Sequence, residues 1–138
     1  MTKHIICIAC PRGCRLSLHI KDTADNPPAE QDIEVSGNSC PKGILYGRQE
    51  LICPVRTLTT TISCTLDADK PFSDRRHIRL PVKTVCEIPL KDTALTIRKI
   101  HDIRLTRAVN CGDIIAVLKG EDGSKIPLAA CASTEENV

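Results

Sequence analysis

The sequence predicts an α+β chain, richer in strand than in helix. Three observations predict it. Several segments alternate apolar and polar residues with period two, the pattern of a half-buried strand. Only two stretches, Ile44 to Ile52 and Lys91 to Leu105, carry apolar residues at helical spacing. Clusters of Pro, Gly, Asn, Asp and Ser punctuate the rest. The expected organisation is an N-terminal cysteine-loop β-hairpin metal domain over residues 1–56. A small strand-rich α+β region with one main helix follows over residues 57–138 and would serve for docking or scaffolding.

The elements follow in order. Leu16, Leu18 and Ile20 fall on one face of a strand from Arg15 to Lys21, with Ser17, His19 and Lys21 on the other. Asp22 to Asp32, centred on Asn26-Pro27-Pro28, reads as a long hairpin loop. Ile33 and Val35 form the return strand, which ends at Ser36-Gly37-Asn38. Ile44 to Ile52 reads as a helix with Ile44, Leu45, Gln49 and Ile52 inward, stopped at Cys53-Pro54 because proline disfavours helix in the residue before it. After a linker over 53–56, Leu58, Thr60, Ile62, Cys64 and Leu66 share one strand face. Asp67 to Arg76 is a charged turn. Ile78, Leu80, Val82, Thr84, Cys86 and Ile88 make the next alternating face, where Pro81 and Pro89 suggest an edge strand or a break. Lys91 to Leu105 is the main helix, with Asp92 or Thr93 as N-cap and Leu95, Ile97, Ile100 and Ile103 among its apolar residues. Strands over 113–119 and 125–132 flank the turn Glu121-Asp122-Gly123-Ser124, and residues 133–138 are a polar tail.

Composition narrows the function. The chain has 138 residues and a net charge of only +2, and its only aromatic residues are Tyr46 and Phe72. It therefore lacks both the basic balance and the stacking platform of a nucleic-acid binder. No apolar run approaches the ~20 residues of a membrane helix, and no export signal is recognised, so a cytoplasmic protein without membrane insertion is expected. Composition does not give the oligomeric state.

Nine cysteines are many for this length, and the number is odd. With no export signal, metal ligation is a better reading than a disulfide scaffold. Cys7, Cys10, Cys14 and Cys40 stand in the frame C-x2-C-x3-C-x25-C. Three thiols come from one loop, Cys7-Ile-Ala-Cys10-Pro-Arg-Gly-Cys14, and the fourth opens Cys40-Pro-Lys-Gly43. Thiolates are soft ligands for zinc or iron–sulfur clusters. Zinc ribbons usually present two C-x2-C knuckles, whereas a three-plus-one arrangement suits a 4Fe–4S cluster, with structural zinc as the alternative. Gly13 and Gly43 would let the backbone pass a bulky inorganic group, and Arg12, Arg15 and Lys42 would surround it with positive charge. Thiol–disulfide exchange at Cys7 and Cys10 is disfavoured, because that motif prefers a helix start in a βαβ unit. Cys64, Cys86, Cys111 and Cys131 read as small buried hydrophobes, and Cys53 as a spare ligand at most.

The frame from Cys7 to Gly43 resembles the N-terminal 4Fe–4S domain of molybdopterin oxidoreductases over residues 4–46. That resemblance implies cluster binding by Cys7, Cys10, Cys14 and Cys40, and a role for Lys42 in passing electrons. A second resemblance spans nearly the whole chain. It rests on Cys7-Ile-Ala-Cys10-Pro-Arg-Gly-Cys14, Cys40-Pro-Lys-Gly43, Tyr46, Pro54-Val-Arg56, Leu58-Thr-Thr-Thr61, Leu80-Pro-Val-Lys-Thr84, Ile88-Pro89 and Gly112-Asp113-Ile114. These landmarks are similar to those of the CxxC motif-containing family of short bacterial and archaeal proteins, domain of unknown function 1667. That resemblance implies a partner of FAD-dependent oxidoreductases, including glycerol-3-phosphate dehydrogenase-like flavoproteins.

The expected function is thus a small iron–sulfur electron-transfer accessory protein, an oxidoreductase subunit rather than an enzyme in its own right. The alternative is a zinc-stabilised interaction module without redox activity. No catalytic constellation stands out: there is no phosphate loop and no H-E-x-x-H. His4, His19, His77 and His101 read as surface residues, and Lys83 as an exposed lysine guarding a sheet edge.

Overall fold

The computed structural model describes residues 1–21 and 27–134. The chain divides into two compact units, Met1–Val55 and Arg56–Val138, and the short strand β4 (Val55–Arg56) lies at the division. The mixed α+β, strand-rich character is as the sequence predicts, with two α-helices among the described residues. Of the expected Asp22 to Asp32 loop, residues 22–26 lie outside the described residues, as do residues 135–138 of the tail.

In the first unit, β1 (Thr2–Ile6), β2 (Arg15–Ile20) and β3 (Ile33–Ser36) form an antiparallel sheet with β2 in the middle. Leu16 and Leu18 are fully buried, while His19 is exposed, so the period-two reading of β2 holds. Helix α1 runs over Pro41–Ile52, three residues earlier than the apolar spacing suggests, with Pro41 in its first turn and Cys40 as N-cap. Its buried face also differs from expectation. Leu45 and Gln49 are exposed, and the residues turned inward are Gly43 and Gly47. A Cβ on Gly47 would lie 2.7 Å from Leu18 Cδ2 and 3.2 Å from Val35 Cγ1. The helix therefore seats its backbone directly on the sheet, which a leucine side chain in that position would prevent. Cys7, Leu16 and Leu18 form the centre of this core, with Ile5, Cys14, Val35, Tyr46 and Leu51 packed around them.

The second unit is a five-stranded sheet in the order β8-β5-β6-β10-β9. Its long antiparallel pair is β5 (Thr59–Leu66) with β6 (Arg76–Thr84). Ile62, Cys64 and Leu66 of β5 and Leu80 and Val82 of β6 are buried, as their alternation predicts. Strand β6 is internal, not an edge, so Lys83 guards no edge; it is exposed between neighbours Thr59 and Ala129. Pro81 is tolerated there for a specific reason. A strand residue directs its N–H and C=O to the same neighbour, and the Pro81 carbonyl accepts from Cys131 N–H, one residue beyond the end of β10 (Lys125–Ala130). The missing donor thus falls where that ladder ends. The face from Ile78 to Ile88 breaks after Thr84, and Ile88–Pro89 forms the separate short strand β7.

Helix α2 (Thr93–His101) is shorter than the Lys91 to Leu105 pattern. A 3-10 turn, Leu90–Asp92, precedes it, and Ile103 N–H bonds the Ile100 carbonyl just past its end. Arg104–Leu105 then becomes β8, parallel to Ser63 and Cys64, because Leu105 is buried beside β5. Asp92 takes the N-cap position without a side-chain bond. Strands β9 (Ile114–Lys119) and β10 form the predicted hairpin, with Gly120 N–H bonded to Ser124 C=O at 2.8 Å; β10 stops at Ala130 rather than 132.

Candidate functional site

The first cysteine loop is a continuation of the β1–β2 ladder. Cys7 N–H donates to Cys14 C=O at 2.8 Å, so the two residues face each other at the neck of the loop. Strand alternation puts Cys7 on the same side as Ile5, and Cys14 on the same side as Leu16, the side that α1 covers. Cys7 is buried and Cys14 half-buried, while Cys10 stands exposed in the loop between them.

The second cysteine turn is brought to this neck by backbone contact. Gly37 follows β3 with φ +82°, and a Cβ there would overlap the carbonyl of Arg15, the residue after Cys14. The chain then runs through Asn38 and Ser39 into α1. Asn38 Nδ2 donates to Cys40 C=O at 3.1 Å, and Gly43 N–H bonds the same carbonyl at 3.1 Å. Cys14 Sγ and Ser39 Oγ are hydrogen-bonded at 3.3 Å, one residue from Cys40. The turns carrying Cys14 and Cys40 therefore meet.

The electrostatics favour thiolate at Cys14. Its pKa lies below the ordinary 9.0, chiefly because the Ser39 hydroxyl and then the Ser39 N–H donate to the charged sulfur, with the Arg12 guanidinium adding a smaller pull. Arg12, Arg15 and Lys42 are all exposed here, and α1 presents its partially positive end to the same place. In metal-free protein, Ser39→Ala is expected to move the pH midpoint of Cys14 alkylation upward, read residue by residue by mass spectrometry. An unmoved midpoint would remove Ser39 from this role.

Ser39 is the residue that sequence reasoning passes over. Its signal was only adjacency to Cys40 in Asn38-Ser39-Cys40. The two glycines assigned to clearance differ from each other. The space beside Gly43 is filled by Asn38 Cβ at 2.8 Å and Leu16 Cδ2 at 3.5 Å, so it admits no inorganic group. Gly13 has open space beside it, with Ile6 Cγ2 at 3.9 Å from the position of a Cβ, and takes a left-handed conformation, φ +63°, as the loop turns into Cys14.

Among the described residues, no three His, Cys, Asp or Glu side chains are gathered in a group that could hold a metal ion. The donor set nevertheless fits soft-metal chemistry, with Cys7, Cys14 and Cys40 at two abutting turns and Cys10 on the intervening loop. Cys53 is excluded by position. It caps the far end of the 12-residue α1, about 18 Å from the turn that bears Cys40. In the second unit Cys64 is buried, and burial raises its pKa, which keeps it an inert thiol. Cys86 and Cys131 are half-buried, and Cys111 is exposed, contrary to its reading as a buried hydrophobe. The four histidines are exposed, as expected, each paired with a Ser or Thr hydroxyl across or beside its strand or helix.

A family model described as Protein of unknown function (DUF1667) matches residues 41–126. The chain belongs to the DUF1667 family. The DUF1667 match begins in the first turn of α1 and ends in β10, so it takes in Lys42 and leaves Cys7, Cys10, Cys14 and Cys40 outside its bounds. No curated protein and no solved structure matches the chain. No helix among the described residues is long and apolar enough to cross a membrane.

Proposed function

We propose that this DUF1667 protein is a small electron-transfer accessory protein that holds a 4Fe–4S cluster on Cys7, Cys10, Cys14 and Cys40. Its partner would be an FAD-dependent oxidoreductase, such as a glycerol-3-phosphate dehydrogenase-like flavoprotein. The observation that carries the reading is the abutment of the two cysteine turns, marked by the 3.3 Å contact between Cys14 Sγ and Ser39 Oγ. The resemblance of residues 4–46 to a 4Fe–4S domain supports the choice of cluster.

When bound, such a cluster supplies one-electron transfer. The chain's own residues prepare the site. Cys7 is fixed by its backbone bond to Cys14 and by burial against Leu16 and Leu18. Ser39 and Arg12 favour the charged sulfur of Cys14. Pro41 starts α1 immediately after Cys40, which sets the direction of that turn. Lys42 is exposed in the first helical turn, two residues from Cys40, where it can meet an acidic partner surface. No three of these thiols are gathered among the described residues, so side chains at both turns must rotate inward for the four to converge, exposed Cys10 among them.

Protein produced and purified without oxygen is expected to be brown and to contain about four iron and four sulfide per chain. A colourless protein with one zinc per chain would overturn the proposal.

A further inference from the structure

The second unit brings two cysteine residues together where no metal ligand is proposed. Gly112, with φ +93°, opens a bulge at the head of β9: Gly112 N–H donates to Ala130 C=O at 2.8 Å, and Ala130 N–H donates to Asp113 C=O at 2.9 Å. The next residues outward are Cys111 and Cys131, which therefore lie side by side. Cys111 Sγ donates to the Cys131 carbonyl at 3.3 Å. The surrounding chain is strapped in place. Cys111 N–H bonds Ser133 Oγ at 3.2 Å, Thr134 N–H bonds Val109 C=O at 2.9 Å, and Val109 N–H bonds Thr134 Oγ1 at 2.9 Å.

We propose that Cys111 and Cys131 are a thiol pair that closes to a reversible disulfide in the presence of a low-molecular-weight disulfide. A disulfide spans Cα atoms only about 4.4–6.8 Å apart. A sulfur in contact with the carbonyl oxygen of the other cysteine brings the two residues within reach of that span, and closure turns the Cys131 side chain toward Cys111. The two thiols are unequal: Cys111 is exposed and Cys131 half-buried, so Cys111 meets the reagent first. Its thiolate attacks one sulfur of the small disulfide, forming a mixed disulfide and releasing one small thiol. The Cys131 thiolate then attacks the Cys111 sulfur and releases the second. The protein loses two electrons and two protons; the reagent gains the electrons and leaves as two thiols. The bond closes a loop around the β9–β10 hairpin and ties the end of β10 to the head of β9.

The pair lies on separate tryptic peptides, 108–119 and 126–138, which makes the test direct. The full chain is incubated with oxidised glutathione, its free thiols are alkylated, and the unreduced digest is analysed by mass spectrometry. The expected product is peptide 108–119 joined to peptide 126–138, about 2 Da lighter than the two thiol forms together, separating on addition of excess dithiol. Peptide 108–119 carrying glutathione, alkylated, or joined to another cysteine peptide as its main form would overturn the proposal. In Cys131→Ser the second step is blocked, so peptide 108–119 is expected to carry one glutathione. An unmodified peptide there would overturn the role of Cys111 as the first thiol attacked.

Discussion

Cys40→Ser is expected to strip nearly all the iron from protein assembled without oxygen, whereas Cys53→Ser keeps the full complement. Spacing puts Cys40 in the ligand frame and leaves Cys53 a spare ligand at most, although both flank one helix and both adjoin a proline. The fold separates them. Cys40 caps the start of α1 beside Ser39 and hence beside Cys14, and Cys53 caps its end. A helix of 12 residues is about 18 Å long, far more than any rotamer change can bridge. Losing Cys40 leaves three thiols on one loop and a ligand position open to water and oxygen. The comparison also bears on rival readings. If Cys7 and Cys10 act as an independent redox pair, thiol–disulfide activity survives Cys40→Ser and no iron is present in any form. If zinc is the native metal, Cys40→Ser loses zinc and the parent protein is colourless. Iron retained in Cys40→Ser, or lost equally in Cys53→Ser, would remove Cys40 from the ligand set.

The legible parts of this fold are those governed by one local period. The buried faces of β2, β5 and β6, the last as far as Thr84, read correctly because each alternates with a more exposed face, and alternation reports that directly. The hairpin at Gly123 was equally plain. What escaped was governed by contacts distant in sequence. The apolar spacing of α1 pointed to Leu45 as inward, but the helix turns two glycines to the sheet, and glycine carries no hydrophobic signal. Leu105 continues the helical pattern of α2 yet belongs to a parallel strand, because the space beside Cys64 rewards its burial there. Pro81 marks the end of one neighbouring strand and not the edge of the sheet, a distinction that depends on where β10 stops. The site shows the same division. Spacing nominates the four thiols, and the backbone bond between Cys7 and Cys14, just beyond β1 and β2, puts two of them at the neck of one loop. Ser39 and Gly37 could not be nominated, since their roles are set by a residue more than twenty positions away.

Gly37→Ala is expected to destabilise the first unit by about 2–6 kcal/mol, combining left-handed strain in a non-glycine residue with an overlap in a packed region. Its φ of +82° is one that alanine adopts only under strain, and its Cβ would overlap a main-chain carbonyl, that of Arg15, which cannot rotate away as a side chain can. Gly123→Ala separates the two contributions. Gly123 has the same φ, +82°, but a Cβ there meets only Lys119 Cε at 4.0 Å. It is therefore expected to lose only the backbone term, roughly 1–2 kcal/mol. Urea denaturation followed by circular dichroism gives both values; an equal loss in the two variants would mean that the Gly37 contact with Arg15 contributes nothing. The consequence reaches the thiols, because the same close approach sets the Cys40 turn against the Cys14 turn. In Gly37→Ala, metal-free and folded at low denaturant, buried Cys7 is expected to become accessible to alkylation, and the Ser39-dependent lowering of the Cys14 midpoint is expected to disappear. Unchanged Cys7 protection together with an unchanged Cys14 midpoint would show that the two turns are held together by something other than the backbone of Gly37.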